Sequence, residues 1–203
     1  MEGPPVVPER GKFRASMKIP PEVKLVLFLG RLSSKKSPEL LLEAFADLGD
    51  VPTHLAFVGP DEAGMAARLR SMAEKLGVSG RVHFSPGLAG AAKWTAYRDA
   101  DVFVLPSQNE NFGNTAAEAV AVGTPVIVTD QCGVAPLLGN KAGLVVRHDR
   151  GEVAGALKEL LSNDGLYGRL QAGCRLAFEA LGWEQPTLEM EMLYNKLARP
   201  VRT

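Results

Sequence analysis

The sequence predicts an α/β protein built on one doubly wound parallel sheet, and three observations carry that reading. Short apolar runs rich in Val, Leu and Phe alternate along the chain with stretches of helical periodicity. Each run is hydrophobic on both faces, the pattern of parallel strands covered by helices on either side. Glycine and proline stand at the boundaries between runs and helices, where turns and caps need them.

Residues 1–22 hold five of the fourteen prolines and little periodicity, so they read as a linker. From Lys24 the order begins with the strand KLVLFLG and the helix SPELLLEAFADL. Ser37 stands at the N-cap of that helix, with Pro38 at its first position. The strand THLAFVG and the helical DEAGMAARLRSMAEKLG follow, closed by Gly77. Next come the strand RVHFS with the helix AGAAKWTAYRDA, then DVFVLPS with the helix in NTAAEAVAVG, closed by Gly123. TPVIVTD, a turn through QCGVAPLLGN, the strand GLVV and the helix GEVAGALKELLSN complete six alternations. That makes residues 23–182 one Rossmann-like domain, ending in the helical GLYGRLQAGCRLAFEAL. Residues 183–203, with Pro186 in the first turn and Pro200 at the end, read as a separate terminal helix.

Composition narrows the function. Lysine and arginine number 23 and aspartate and glutamate 23, so no basic field exists to hold a nucleic acid. Cys132 and Cys174 show neither metal-ligand nor redox spacing and read as buried free thiols in a reducing compartment. His54, His83 and His148 read as scattered strand and surface residues. No apolar run reaches the roughly 18 residues of a membrane span, and MEGPPVVPERGKF lacks a signal-peptide core, so the expected location is cytoplasmic. The chain has no G-x-G-x-x-G after its first strand, no G-x-x-x-x-G-K-[ST] and no G-x-S-x-G, which argues against nicotinamide dehydrogenases, P-loop enzymes and α/β-hydrolases.

Ligands of an open parallel sheet bind beyond the carboxyl ends of its strands. Three loops lie there. In GRLSSKKSPE, Gly30 leaves the strand and Arg31, Lys35 and Lys36 supply cations ahead of a helix N-terminus. A lysine pair alone reads as solvated charge; beside a strand-end glycine and an arginine it reads as a phosphate or diphosphate site. In SQNENFGNTAAEAV, Thr115 and Glu118 have the spacing of a capping box, which accounts for Glu118 structurally and leaves Glu110 unexplained. Two acids beside Gly113 can accept hydrogen bonds from paired hydroxyls, so a phosphate-bearing polyol suits both loops. In HFSPGLAG, Pro86 and Gly87 end a strand with open backbone, equally a simple turn or an edge for a flat base.

Gly30-Arg31, Lys36, Val58-Gly59, DADVFVLPS at residues 99–107, ENFGNTAAEA and GTPVI together resemble the retaining glycosyltransferases of family four. The resemblance covers nearly the whole chain. It implies a GT-B fold, two Rossmann-like domains facing across a cleft, with this sequence similar to the C-terminal, nucleotide-sugar half. VVPERGKF resembles the segment after the interdomain linker, and Trp183 to Tyr194 resembles the terminal helix that crosses back to the other half.

Carried to matching positions, the resemblance implies catalytic roles for Glu110, Arg31 and Lys36. Arg31 and Lys36 would meet the donor diphosphate beside Gly30, Glu118 the ribose hydroxyls and Glu110 the transferred sugar. Asn111, Phe112, Gly113, Asn114 and Thr115 would bring backbone amides to sugar and phosphate, and Ser85, Pro86, Gly87 and Leu88 would edge the base. The implied enzyme transfers a hexosyl group without a metal or other cofactor, in keeping with the lack of a D-x-D-type acid pair near these loops. Its partners would be a nucleotide sugar and an N-terminal acceptor domain of the same protein, through which alone a membrane would be met. Two departures stand where the family often has glycine and then glutamate, at Cys132 and Pro136.

The chain by itself is then expected to bind donor without transferring sugar. The alternatives are a non-catalytic nucleotide-binding or docking module with the same half fold, and a nucleotide-sugar epimerase-like enzyme. A docking module has no physical use for Arg31, Lys36, Glu110 and Glu118 together.

Overall fold

The computed structural model describes residues 3, 4, 6–182 and 184–197. Its strands are β1 (Lys24–Leu29), β2 (Thr53–Val58), β3 (Val82–Ser85), β4 (Val102–Leu105), β5 (Val126–Thr129) and β6 (Gly143–Val146). They form one parallel sheet in the order β3-β2-β1-β4-β5-β6, the Rossmann order expected of the alternation. Its helices are α1 (Lys12–Ser16), α2 (Pro38–Ala46), α3 (Met65–Lys75), α4 (Gly90–Asp99), α5 (Asn114–Ala121), α6 (Ala135–Leu138), α7 (Arg150–Ser162), α8 (Asp164–Glu179) and α9 (Glu184–Leu197).

Alternation along each strand divides the core in two. Val26 and Phe28 of β1 face one layer, where α2, α3 and α7 bury Leu42, Phe45, Leu69 and Leu157. Leu25, Leu27 and Leu29 face the other, where α1, α4, α5 and α6 bury Phe13, Tyr97, Val120 and Leu138. α8 spans both, giving Leu166 and Leu170 to the first layer and Cys174 and Ala177 to the second. Both cysteines are buried and free, as read.

The stretch read as a linker holds more structure than its prolines suggest. Within residues 1–22, α1 packs against α4, and Phe13 and Ile19 are buried. A five-residue helix is too short to show periodicity or to be stable alone, and its capping comes from far along the chain. The Asp99 carboxylate accepts the N–H groups of Phe13 at 2.7 Å and Arg14 at 2.9 Å. Arg14 in turn donates to Asp101 at 2.6 Å and to the Val23 carbonyl at 2.8 Å.

Helix boundaries follow the reading closely. Ser37 precedes Pro38 at the N-cap of α2, although its hydroxyl meets the Ser34 carbonyl and His148 Nε2 rather than capping the helix. Gly77 and Gly123 follow the C-caps of α3 and α5. Residues 184–197 form the expected terminal helix, with Leu188, Met192 and Leu197 exposed; Trp183 and Pro200 lie outside the described residues. Among the described residues no helix is long and apolar enough to cross a membrane.

Candidate functional site

The strand order reverses between β1 and β4, and in sheets of this kind the ligand crevice lies beside that point, at the carboxyl edge. Lys36, in the 3₁₀ turn Ser34–Lys36 after β1, reaches across it. Its Nζ forms an ion pair with Oε2 of Glu110, in the loop after β4. The Gln108 N–H donates to the Lys35 carbonyl at 3.0 Å and ties the same two loops through the main chain. Both charged side chains are mostly covered, at 25% exposure for Lys36 and 18% for Glu110. Burial lowers the Lys36 pKa from the ordinary lysine range; Cys132 opposes this in part, and the Arg31 charge, the least of the three influences, adds to the lowering.

Glu110 is fixed from below by the turn after β5. Its N–H donates to the Gln131 carbonyl at 3.1 Å, its carbonyl accepts from Gly133 at 3.0 Å, and Val134 N–H reaches the Phe112 carbonyl at 2.7 Å. A side chain at Gly133 would put a Cβ 2.1 Å from the Asn111 carbonyl oxygen, so only glycine lets these two loops zip together. Cys132 is buried in this turn with Sγ 3.5 Å from Thr129 Oγ1, and burial pushes its thiol pKa up. Pro136 lies in α6, so no carboxylate occupies that position.

Gly113 starts α5. Its φ of 105° is left-handed, and its carbonyl accepts from Ala116 at 2.9 Å and Ala117 at 3.2 Å. This early start removes the expected capping box: Thr115 and Glu118 both lie inside the helix, which has no side-chain cap. Glu118 instead accepts from Lys93 Nζ at 2.7 Å through Oε1 and from the Tyr97 hydroxyl at 2.8 Å through Oε2. Burial, with the Glu118 charge and hydrogen bond added, raises the Tyr97 pKa well above its ordinary value, so the phenol stays a donor.

The other predicted residues scatter around this centre. Arg31 is 68% exposed and turns to Glu62, 3.4 Å away on the loop after β2, rather than to Lys36 and Glu110. Gly30 extends β1, its N–H donating to the Val58 carbonyl at 2.9 Å. Ser85 and Pro86 border a cavity of about 240 Å³ with Leu32, Pro60, Phe84 and Arg70, whose guanidinium stands 4.1 Å over the Phe84 ring. Gly87 abuts Pro60, and Leu88 packs partly buried against the core.

Two histidines read as scattered are a pair: His54 Nδ1 and His83 Nε2 lie 2.8 Å apart with stacked rings. The β2–β3 register brings them together near the amino ends of those strands, away from the crevice. Burial lowers both of their pKa values. Sequence reasoning also passed over Lys93 and Tyr97, which share a face of α4 at i and i+4, a spacing visible in the sequence. The D-x-D spelling Asp99-Ala100-Asp101 binds the N-terminal arm through protein donors. Among the described residues no group of three or more His, Cys, Asp or Glu is gathered as a metal site.

A family profile described as Glycosyl transferases group 1 matches residues 9–175. A D-inositol 3-phosphate glycosyltransferase of Streptomyces bingchenggensis is 35% identical over 204 residues, covering 95% of this chain and 45% of the relative. Among solved structures, sucrose-phosphate synthase from Thermosynechococcus elongatus superposes with a TM-score of 0.78 at 29% identity, over 96% of this chain and 49% of that one. Anabaena Alr3699/HepE, solved with UDP, matches in fold with a TM-score of 0.78 at 18% identity, over 91% of this chain and 52% of that one. The chain thus spans about half the length of the curated relatives it matches.

Proposed function

We propose, from the premise that this chain belongs to the Glycosyl transferases group 1 family, that it is the donor-binding half of a retaining, metal-independent hexosyltransferase. The observation that carries the reading is the Lys36–Glu110 pair across the switch point, where this fold gathers its ligands. A nucleoside diphosphate sugar supplies a partner for each member of the pair. Its phosphates take the ammonium of Lys36, with Arg31 swinging in from its exposed position, and Glu110 is released to accept hydroxyls of the sugar. Backbone amides of Asn111 to Thr115, around the N-terminus of α5, favour negative charge and supply donors to the sugar and phosphate in this reading. Glu118, farther along α5, takes the ribose hydroxyls in this reading, and the Ser85–Leu88 loop takes the base.

Transfer leaves a diphosphate on which charge develops as the glycosidic bond breaks. Cations held against the diphosphate stabilise that charge more in the transition state than in the ground state, and this is the catalytic contribution of Lys36 and of Arg31 once it has swung in. Support for a nucleotide-sugar ligand comes from the fold relative Anabaena Alr3699/HepE, solved with UDP and with UDP-glucose. The acceptor is held by the other half of the cleft, so this chain alone binds donor but does not order two substrates for reaction.

Thermal shift against a panel of nucleoside diphosphates and their sugars tests the reading. A ligand at one hundred times its dissociation constant stabilises by about 2.7 kcal/mol, and Lys36→Ala is expected to abolish most of that shift without lowering the unliganded melting temperature. No shift with any member of the panel, or an equal shift in Lys36→Ala, overturns it.

A further inference from the structure

Glu118 is held more tightly than a residue waiting for a ligand needs to be. Both of its oxygens are engaged from one face of α4, by Lys93 at 2.7 Å and Tyr97 at 2.8 Å. Tyr97 is fully buried and Lys93 is 24% exposed, so neither donor swings freely in solvent. The Lys93 ammonium lies 4.8 Å from the centroid of the Trp94 ring, a second attraction that fixes its tip. A carboxylate offers about four lone-pair sites, two on each oxygen. Lys93 and Tyr97 occupy one on each, leaving one acceptor per oxygen. That remainder matches a vicinal diol.

We propose that Lys93 is a positioning residue: its contact with Glu118, set beside that of Tyr97, registers the carboxylate so that its two remaining acceptors meet the 2′- and 3′-hydroxyls of the donor ribose. This rests on the reading of Glu118 as the ribose residue and adds to it the residue that orients it. Tyr97 alone leaves Oε1 without a partner and the carboxylate free to turn about its last torsion, which is broad for glutamate. With Lys93 in place the diol finds its acceptors already aligned, and less ordering is left for the binding step.

The test is calorimetry on this chain with UDP, GDP and ADP and their 2′,3′-dideoxy counterparts. The quantity read is the ratio of the two affinities for the nucleotide that binds best. Any loss of stability or of general positive charge lowers both affinities together and leaves the ratio unchanged. The parent is expected to prefer the diol by about tenfold or more, the effect of hydrogen bonds to a charged acceptor. Lys93→Met, which keeps an apolar stem over Trp94, is expected to bring the ratio to within about threefold of unity, and Lys93→Arg to restore it. A Lys93→Met protein that keeps the parent's ratio, or a Lys93→Arg protein that fails to recover it, overturns the inference. A parent that binds diol and dideoxy forms equally removes the ribose role of Glu118 itself. A parent that binds none of the three removes the donor-site reading, and the inference with it.

Discussion

Two pairs of acids bracket β4, and they are held in opposite ways. At the amino end, Asp99 accepts N–H groups of Gly11, Phe13 and Arg14, while Asp101 accepts the Leu25 N–H at 2.7 Å and the Arg14 guanidinium at 2.6 Å. At the carboxyl end, Glu110 and Glu118 are held by the tips of Lys36 and Lys93, with one phenol added. Asp99 is wholly buried, whereas Glu110 and Glu118 keep 18% and 19% of their side-chain surface. Main-chain amides cannot leave without unfolding a segment; the Lys36 tip can exchange one anion for another by rotating its stem, while Lys93 and Tyr97 leave acceptor sites on Glu118 unoccupied. The first pair therefore belongs to the fold and the second suits the proposed ligand role, though all four residues are carboxylates within twenty positions of one another.

The sharpest way to break that contrast is to remove one acid from each pair and compare melting. Asp99→Ala strands three backbone donors at the start of α1, together with an Arg14 whose own network is shared with Asp101. Leaving buried groups unpaired costs about 3 kcal/mol or more. For a chain of this size that is a fall of roughly 6–12 °C in Tm. Nucleotide affinity of the folded protein is expected to stay at the parent's value, since α1 lies at the far end of the sheet from the crevice. Melting within about 1 kcal/mol of the parent would mean that the arm is dispensable and that the aspartates are no more structural than the glutamates.

The glutamates should behave in the reverse sense. Glu110→Gln and Glu118→Gln each lose a mostly covered ion pair but keep a polar amide in its place, so a cost of about 1–2 kcal/mol is expected, below that of Asp99→Ala. Binding should fall as well. Glu118→Gln is expected to weaken nucleoside diphosphates about tenfold, and Glu110→Gln to weaken the nucleotide sugar while sparing the bare diphosphate, a difference calorimetry reads directly. If Glu118→Gln destabilises as strongly as Asp99→Ala and leaves affinity unchanged, its contact with Lys93 and Tyr97 is only a brace between α4 and α5.

The same contrast accounts for what the sequence reveals. Strands such as KLVLFLG and THLAFVG are legible because a parallel strand buried on both faces is apolar beyond its amino end, where Lys24, Thr53 and His54 stand. Lys36 and Glu110 are legible because the strand-to-helix loops of this fold have no packing duty for an acid or a lysine. What stays hidden depends on partners distant in sequence. α1 exists because Asp99 caps it, and KFRAS on its own carries no such signal. The capping-box spacing of Thr115 and Glu118 misleads because Gly113, in its left-handed conformation, opens the helix two residues early. His54 and His83 become neighbours only through the β2–β3 register, and Arg31 finds Glu62 only because the loops after β1 and β2 run side by side.

The smallest expected effect separates the pairs by titration. Burial lowers the Lys36 pKa below the ordinary lysine value, so between that lowered value and about 10.4 the unfolded chain binds a proton that the native state does not. Stability therefore rises slightly with pH across this window, as the cost of burying the charged ammonium is relieved. Phosphate affinity runs the other way, because the ammonium that grips the diphosphate is lost as pH climbs through the same lowered value. Opposite slopes for folding and for binding identify a cation that serves the ligand at some cost to the fold. Lys36→Arg keeps its charge throughout, since a guanidinium does not deprotonate in this range. The parent is then expected to lose nucleoside diphosphate affinity a few-fold between neutral pH and roughly pH 10, and Lys36→Arg to hold a flat profile over the same span. Matching alkaline profiles for the two proteins would show that Lys36 does not hold the phosphate, and the pair across the crevice would then be another structural brace like the aspartates at the opposite end of β4.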